Sequence, residues 1–119
     1  MPLENRHQTQ WYSNKLILDH LVTQNRFPDW IATVAFYTAL HRIEQFFARR
    51  NVHPNSHTER KAILAKYTTL LGQQTFLDYQ DMYNTSLDAR YRCIIPGPVD
   101  VDDQLARLAR IDAVVASTP

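Results

Sequence analysis

The segment Trp30–Arg50, WIATVAFYTALHRIEQFFARR, is apolar on nearly every side of a helical wheel. Ile31, Val34, Ala35, Phe36, Leu40, Ile43, Phe46 and Phe47 cover more than one face. A helix of that kind must be packed by several neighbours at once. The segment therefore demands a core helix at the centre of a bundle. Tyr37, His41 and either Glu44 or Gln45 recur at i, i+4 and i+7 or i+8, which lines polar groups along one side of it.

Composition narrows the class further. Only Gly72 and Gly97 occur in 119 residues, too few for a sheet with many tight turns. Apolar residues make up 45% and charged residues 21%, as in soluble globular chains of one domain, here 1–119. With a formal charge of +1 there is no global field for nucleic acid, so any such binding needs a local patch. Cys93 is the only cysteine, which rules out an internal disulfide and fits a reducing cytosol; the expected location is cytoplasmic. The N-terminal segment lacks the apolar stretch of a secretory signal, and no apolar run is long enough to span a bilayer.

Around the core segment the chain reads as further helices. Apolar residues Trp11, Leu18, Leu21 and Val22 predict a first helix over 8–25, which Asn25-Arg26-Phe27-Pro28 ends. Asp29 is the expected cap of the second helix. Ser56-His57-Thr58-Glu59 has the form of a capping box, so a third helix opens there and runs to Gly72 with His57 and Arg60 on one side. Thr75 and Asp78 mark a fourth helix reaching about Tyr91. Ile94-Ile95-Pro96-Gly97-Pro98 breaks it, and Asp100 caps a C-terminal helix over about 100–116. The expected fold is an all-α, antiparallel bundle of four to five helices, with its core over about 8–92.

Three groups of side chains could carry chemistry. Arg50, followed by Asn51, is separated from His57 by six intervening residues. An arginine and a histidine facing one phosphate can support RNA cleavage without a metal: the ribose 2′-hydroxyl attacks phosphorus, imidazole moves the protons and the cation carries the charge. The structural alternative makes Arg50 a solvated helix-end cation and His57 a first-turn surface residue. His41, His53 and His57 offer three imidazoles, but Pro54 interrupts any helix joining the last two and Cys93 supplies no fourth ligand, so neither a metal nor another cofactor is expected. His41 instead reads as a buried histidine bonded to a tyrosine or carboxylate. Finally, Tyr83, Arg90, Tyr91 and Arg92 combine phenols with cations suited to bases or phosphates, or else to core packing and helix-end carbonyls.

Asp29-Trp30, Phe36-Tyr37-Thr38-Ala39-Leu40-His41, His53-Pro54-Asn55-Ser56-His57-Thr58-Glu59-Arg60 and Ala89-Arg90-Tyr91 together resemble the small HEPN-like proteins of bacteria and archaea. The resemblance runs from about Trp11 to Tyr91. It implies a HEPN-like helical bundle, commonly a homodimer, linked to RNA cleavage, nucleotide binding and toxin–antitoxin or defence systems, with a cognate antitoxin or nucleotidyltransferase as partner. Many HEPN-like ribonucleases carry an arginine and a histidine with four to six residues between them, wording that Arg50 and His57 satisfy, although here the pair falls between the second and third helices. On this resemblance Arg50 and His57 are the expected catalytic pair, with His41, His53, Arg60, Arg90 and Tyr91 supporting them or binding phosphate. A module of another class, a non-catalytic bundle for dimerisation or partner binding, uses the same residues as internal ties.

Overall fold

In the computed structural model, which describes residues 3–119, helix α2 (Pro28–Ala48) is the hub. Ala32, Ala35, Phe36, Ala39, Ile43, Phe46 and Phe47 are wholly buried on it, so its apolar circumference is covered on all sides. The covering elements are α1 (Glu4–Gln24), α3 (His57–Lys66), α4 (Thr68–Leu71), α5 (Gln73–Tyr91) and α6 (Pro98–Ser117). Among the described residues the fold is entirely helical, and no helix is long and apolar enough to cross a membrane.

Side-chain contacts fix the directions of the four long helices. Glu4 and His7, early in α1, meet Arg49 and His41, late in α2, so the two run antiparallel. Glu44, late in α2, lies near Tyr79, early in α5, while Tyr37, earlier in α2, meets Arg90, late in α5, so α5 runs antiparallel to α2. Gln104 bonds Asp81 and Arg107 bonds Asp78, so α6 returns antiparallel to α5. The result is an up-down-up-down bundle, the arrangement that short connections favour. Helices α3 and α4 form a short excursion between α2 and α5. Counting them gives six helices where four to five were expected.

The differences from expectation lie at helix ends. Helix α1 starts at Glu4, four residues before the expected start at 8. Helix α2 starts at Pro28 with Phe27 as its N-cap in the left-handed region (φ 58°), and Asp29 sits inside the first turn rather than capping it. Proline suits that opening position because its missing N–H would be unpaired there anyway. The third helix is interrupted at Tyr67 (φ −98°, ψ 9°), and Gly72, at φ +92°, supplies the left-handed turn that ends α4. Ser56 does cap α3, its Oγ accepting from the Glu59 amide at 3.1 Å. Asp100 lies in the first turn of α6 and accepts from the Gly97 amide. Trp30 (57% exposed) and Tyr91 (72% exposed) point outward.

Asp78, expected in a helix start signal, is instead a buried anchor. Its carboxylate accepts from Gln74, Arg107 and Arg110 at 2.8–2.9 Å and ties α5 to α6.

Candidate functional site

The polar side of α2 meets a histidine that sequence periodicity does not single out. His7 is buried on the first turns of α1, and its Nδ1 lies 3.1 Å from His41 Nδ1. The ring centroids are 5.4 Å apart, the separation expected when two rings meet nitrogen to nitrogen, head-on. One Nδ1 must donate and the other accept, so the pair shares a single central proton and each ring fixes the other's tautomer. His41 thus finds a histidine, not the tyrosine or carboxylate expected for it.

One turn further along α2, Glu44 reaches across to α3. Its Oε1 accepts from Arg60 Nε at 2.5 Å, with both side chains buried. Arg60 Nη1 lies 3.0 Å from His57 Nδ1. A guanidinium only donates, so His57 Nδ1 accepts and the ring proton sits on Nε2. The α2–α3 turn brings in His53, whose buried Nδ1 has no hydrogen-bond partner. His7, His41, Glu44, His53 and Arg60 line one groove of about 200 Å³, closed by Leu40 and Pro54. Capping at Ser56 is what aims this assembly: it starts α3 so that His57 and Arg60 fall one turn apart.

Burial sets the protonation of these rings. Loss of solvent, reinforced by the His7 ring and the Arg60 cation, pushes His41 down to about 4. His7 is lowered by burial, with Glu44 opposing, and His57 by burial together with Arg60 and Arg90. These three imidazoles are therefore neutral at neutral pH, the form that accepts a proton. Arg60 stays charged, because the pull of Tyr79 and Glu44 outweighs its own desolvation.

Other expected site residues go elsewhere. The Arg50 guanidinium stacks 3.8 Å over the Phe46 ring and donates to the Phe46 and Pro119 backbone oxygens. His57 packs instead against Phe36 and Tyr83. Phe36 and Phe46 are separated by about 15 Å of helix rise along α2, and Arg50 and His57 share no neighbour. The guanidinium beside His57 is that of Arg60. Arg90 donates to the Tyr37 hydroxyl at 2.7 Å and to Ser86, lying between the Tyr37 and Tyr91 rings at 5.2 and 5.0 Å. The structure thus gathers His41, His53, His57 and Arg60, adds His7 and Glu44, and leaves Arg50, Arg90 and Tyr91 outside.

Among the described residues no three of histidine, cysteine, aspartate and glutamate are placed to hold a metal ion. Comparison with protein-family models, with curated proteins and with solved structures finds no match to the chain.

Proposed function

We propose that the chain is a HEPN-like helical protein that binds RNA by a phosphate at the His7–His41–His53–Arg60 groove and cleaves it without a metal. The observation that carries this reading is the convergence of three imidazoles and one guanidinium on a single groove. Arg60 is held at Nε by Glu44 and at Nη1 by His57, leaving Nη2 to meet a phosphate oxygen. His53, with an unpaired ring nitrogen, takes the proton of the ribose 2′-hydroxyl. The 2′-oxygen bonds to phosphorus, the bond to the 5′-oxygen breaks, and the leaving oxygen takes up the proton that His53 accepted, relayed through the neutral His7–His41 pair. Arg60 carries the charge that develops on the phosphoryl oxygens. His57, a catalytic candidate by spacing, serves here to position Arg60. The homodimer, the cognate antitoxin or nucleotidyltransferase and the cytoplasmic location implied by the resemblance belong to the same proposal.

A specific observation favours a second reading, a non-catalytic module for dimerisation or partner binding. Arg60 is already neutralised by Glu44, and Arg90 is satisfied by Tyr37 and Ser86, so the cluster also works as an internal tie between α2, α3 and α5.

Incubation of RNA with the purified chain in chelator separates the two. Cleavage is expected, and His53→Ala should slow it by about 100-fold or more, the scale of a lost acid–base group. The melting temperature should not change, because His53 Nδ1 makes no bond to lose. Equal cleavage by the wild type and His53→Ala removes the assignment, and absence of cleavage favours the binding module.

A further inference from the structure

The His7–His41 pair faces two grooves. One is the groove of His53 and Arg60. The other, of about 430 Å³, runs along the first turns of α1 and is lined by Asn5, Arg6, Thr9 and Gln10 together with the two rings. His7 and His41 are the residues that the two grooves share, so the grooves adjoin across the pair.

The outer nitrogens of the pair are open. The 3.1 Å contact uses Nδ1 of both rings. Neither Nε2 bonds another group among the described residues, and neither belongs to the polar atoms sealed from solvent without a partner. With one proton shared between the Nδ1 atoms, one ring presents a bare Nε2 that accepts and the other an Nε2–H that donates. A proton taken up at the first Nε2 therefore shifts the central proton across and frees one at the second.

The α1 groove differs in size and chemistry from its neighbour. Its volume falls within the range of about 300–1,000 Å³ usual for small-molecule sites, whereas the His53–Arg60 groove, at about 200 Å³, suits little more than a phosphoryl group. No carboxylate lines it. Gln10 Nε2 donates to Asn14 Oδ1 at 2.8 Å, which orients the amide and leaves Oε1 to accept. Asn5 is engaged only at its backbone carbonyl, by the Thr9 hydroxyl. Arg6 makes no ion pair among the described residues. Amide and guanidinium side chains are the groups that hydrogen-bond base edges, amides favouring adenine.

We propose, resting on the nuclease reading, that the α1 groove is the subsite for the nucleoside that leaves through its 5′-oxygen. With the phosphate at Arg60, the leaving oxygen must come within hydrogen-bond reach of a donating Nε2 of the pair. The nucleoside attached to that oxygen then continues past the two rings, where the α1 groove begins. The nucleoside bearing the attacking 2′-hydroxyl stays on the His53 side, and the RNA strand runs 5′ to 3′ from His53 toward α1. Asn5, Arg6 and Gln10 meet the base and sugar of the departing nucleoside.

The test is a titration of the full chain, isotopically labelled, with two uncleavable diesters of equal charge. One is deoxyadenosine 3′-(methyl phosphate); the other is two deoxyadenosines joined by a single phosphate, which fixes the register. Both should shift the His53 and Arg60 resonances, and only the second should shift those of Asn5, Arg6 and Gln10. The affinity advantage of the second over the first should fall about tenfold in Arg6→Ala and about fivefold in Asn5→Ala, as for a charged and a neutral hydrogen-bond partner. Both positions are exposed, so the variants should fold. Shifts confined to His53 and Arg60 with both compounds, or an advantage that survives both substitutions, overturn the proposal. Cleavage of the ribose form of the dinucleotide is measured in parallel. Shifts along α1 without cleavage remove the nuclease reading and support the subsite, and cleavage without shifts along α1 does the reverse.

Discussion

Replacing His41 by glutamine removes a titrating ring from the centre of the bundle and leaves a side chain that can still bond His7. The wild-type ring is held at about 4 against an ordinary 6.5, so the unfolded chain takes up a proton that the folded chain refuses. Stability from this group is complete above about pH 6.5 and declines as pH falls toward 4. Each tenfold difference in proton affinity is about 1.4 kcal/mol. The full displacement is then about 3 kcal/mol, reduced to about 2 kcal/mol because the groove admits solvent. Urea unfolding at steps between about pH 7.5 and about pH 4.5 measures it, with a constant m-value as the check on two-state behaviour. Carboxylates and the other lowered histidines lose stability in the same interval, so the informative quantity is the difference between the two proteins. Wild type should fall about 2 kcal/mol further than His41→Gln across the range. Parallel curves would refute the buried, proton-sharing pair.

Three further substitutions probe the frame around the site. Glu44→Ala leaves the Arg60 cation buried without its partner and should cost about 3–5 kcal/mol by denaturant unfolding; a loss below about 1 kcal/mol would mean that the pair is solvated. Phe36→Ala empties a wholly buried position that touches His57, Tyr79 and Tyr83, and should cost about 3–5 kcal/mol. The His57 ring should then titrate closer to its ordinary value in an NMR pH series, as its burial is lost. Asp78→Asn removes the charge that fastens Arg107 and Arg110 of α6 to α5 and should cost about 3 kcal/mol, measured as a lower urea midpoint at neutral pH.

What was readable in the sequence follows from the range of the forces involved. Helix α2 is legible because its burial is written into its own residues, and the Ser56 cap because it acts within one turn. The neighbouring placement of His57 and Arg60 follows from that cap and helical spacing alone. His7 was not legible: it precedes the apolar pattern of α1 and is buried only because α1 folds back so that it meets His41. Glu44 appeared as one of two polar choices on α2, and only tertiary packing brings it to Arg60. Arg50 misled for a related reason. Its distance from His57 along the chain is short, but the end of α2 turns it onto Phe46 while the cap of α3 turns His57 toward Phe36. The interruption at Tyr67 likewise depends on how α3, α4 and α5 settle against α2.

The central claim is that imidazoles in the His53–Arg60 groove move protons for attack by a ribose hydroxyl. It is tested most directly with two oligonucleotides that differ only in the 2′-hydroxyl at the scissile position, incubated with the protein in chelator. Cleavage of the ribose substrate to a 2′,3′-cyclic phosphate end, with the deoxy substrate left intact, is the predicted result. Cleavage of both, or cleavage of the ribose substrate only after a divalent metal is added, would contradict it.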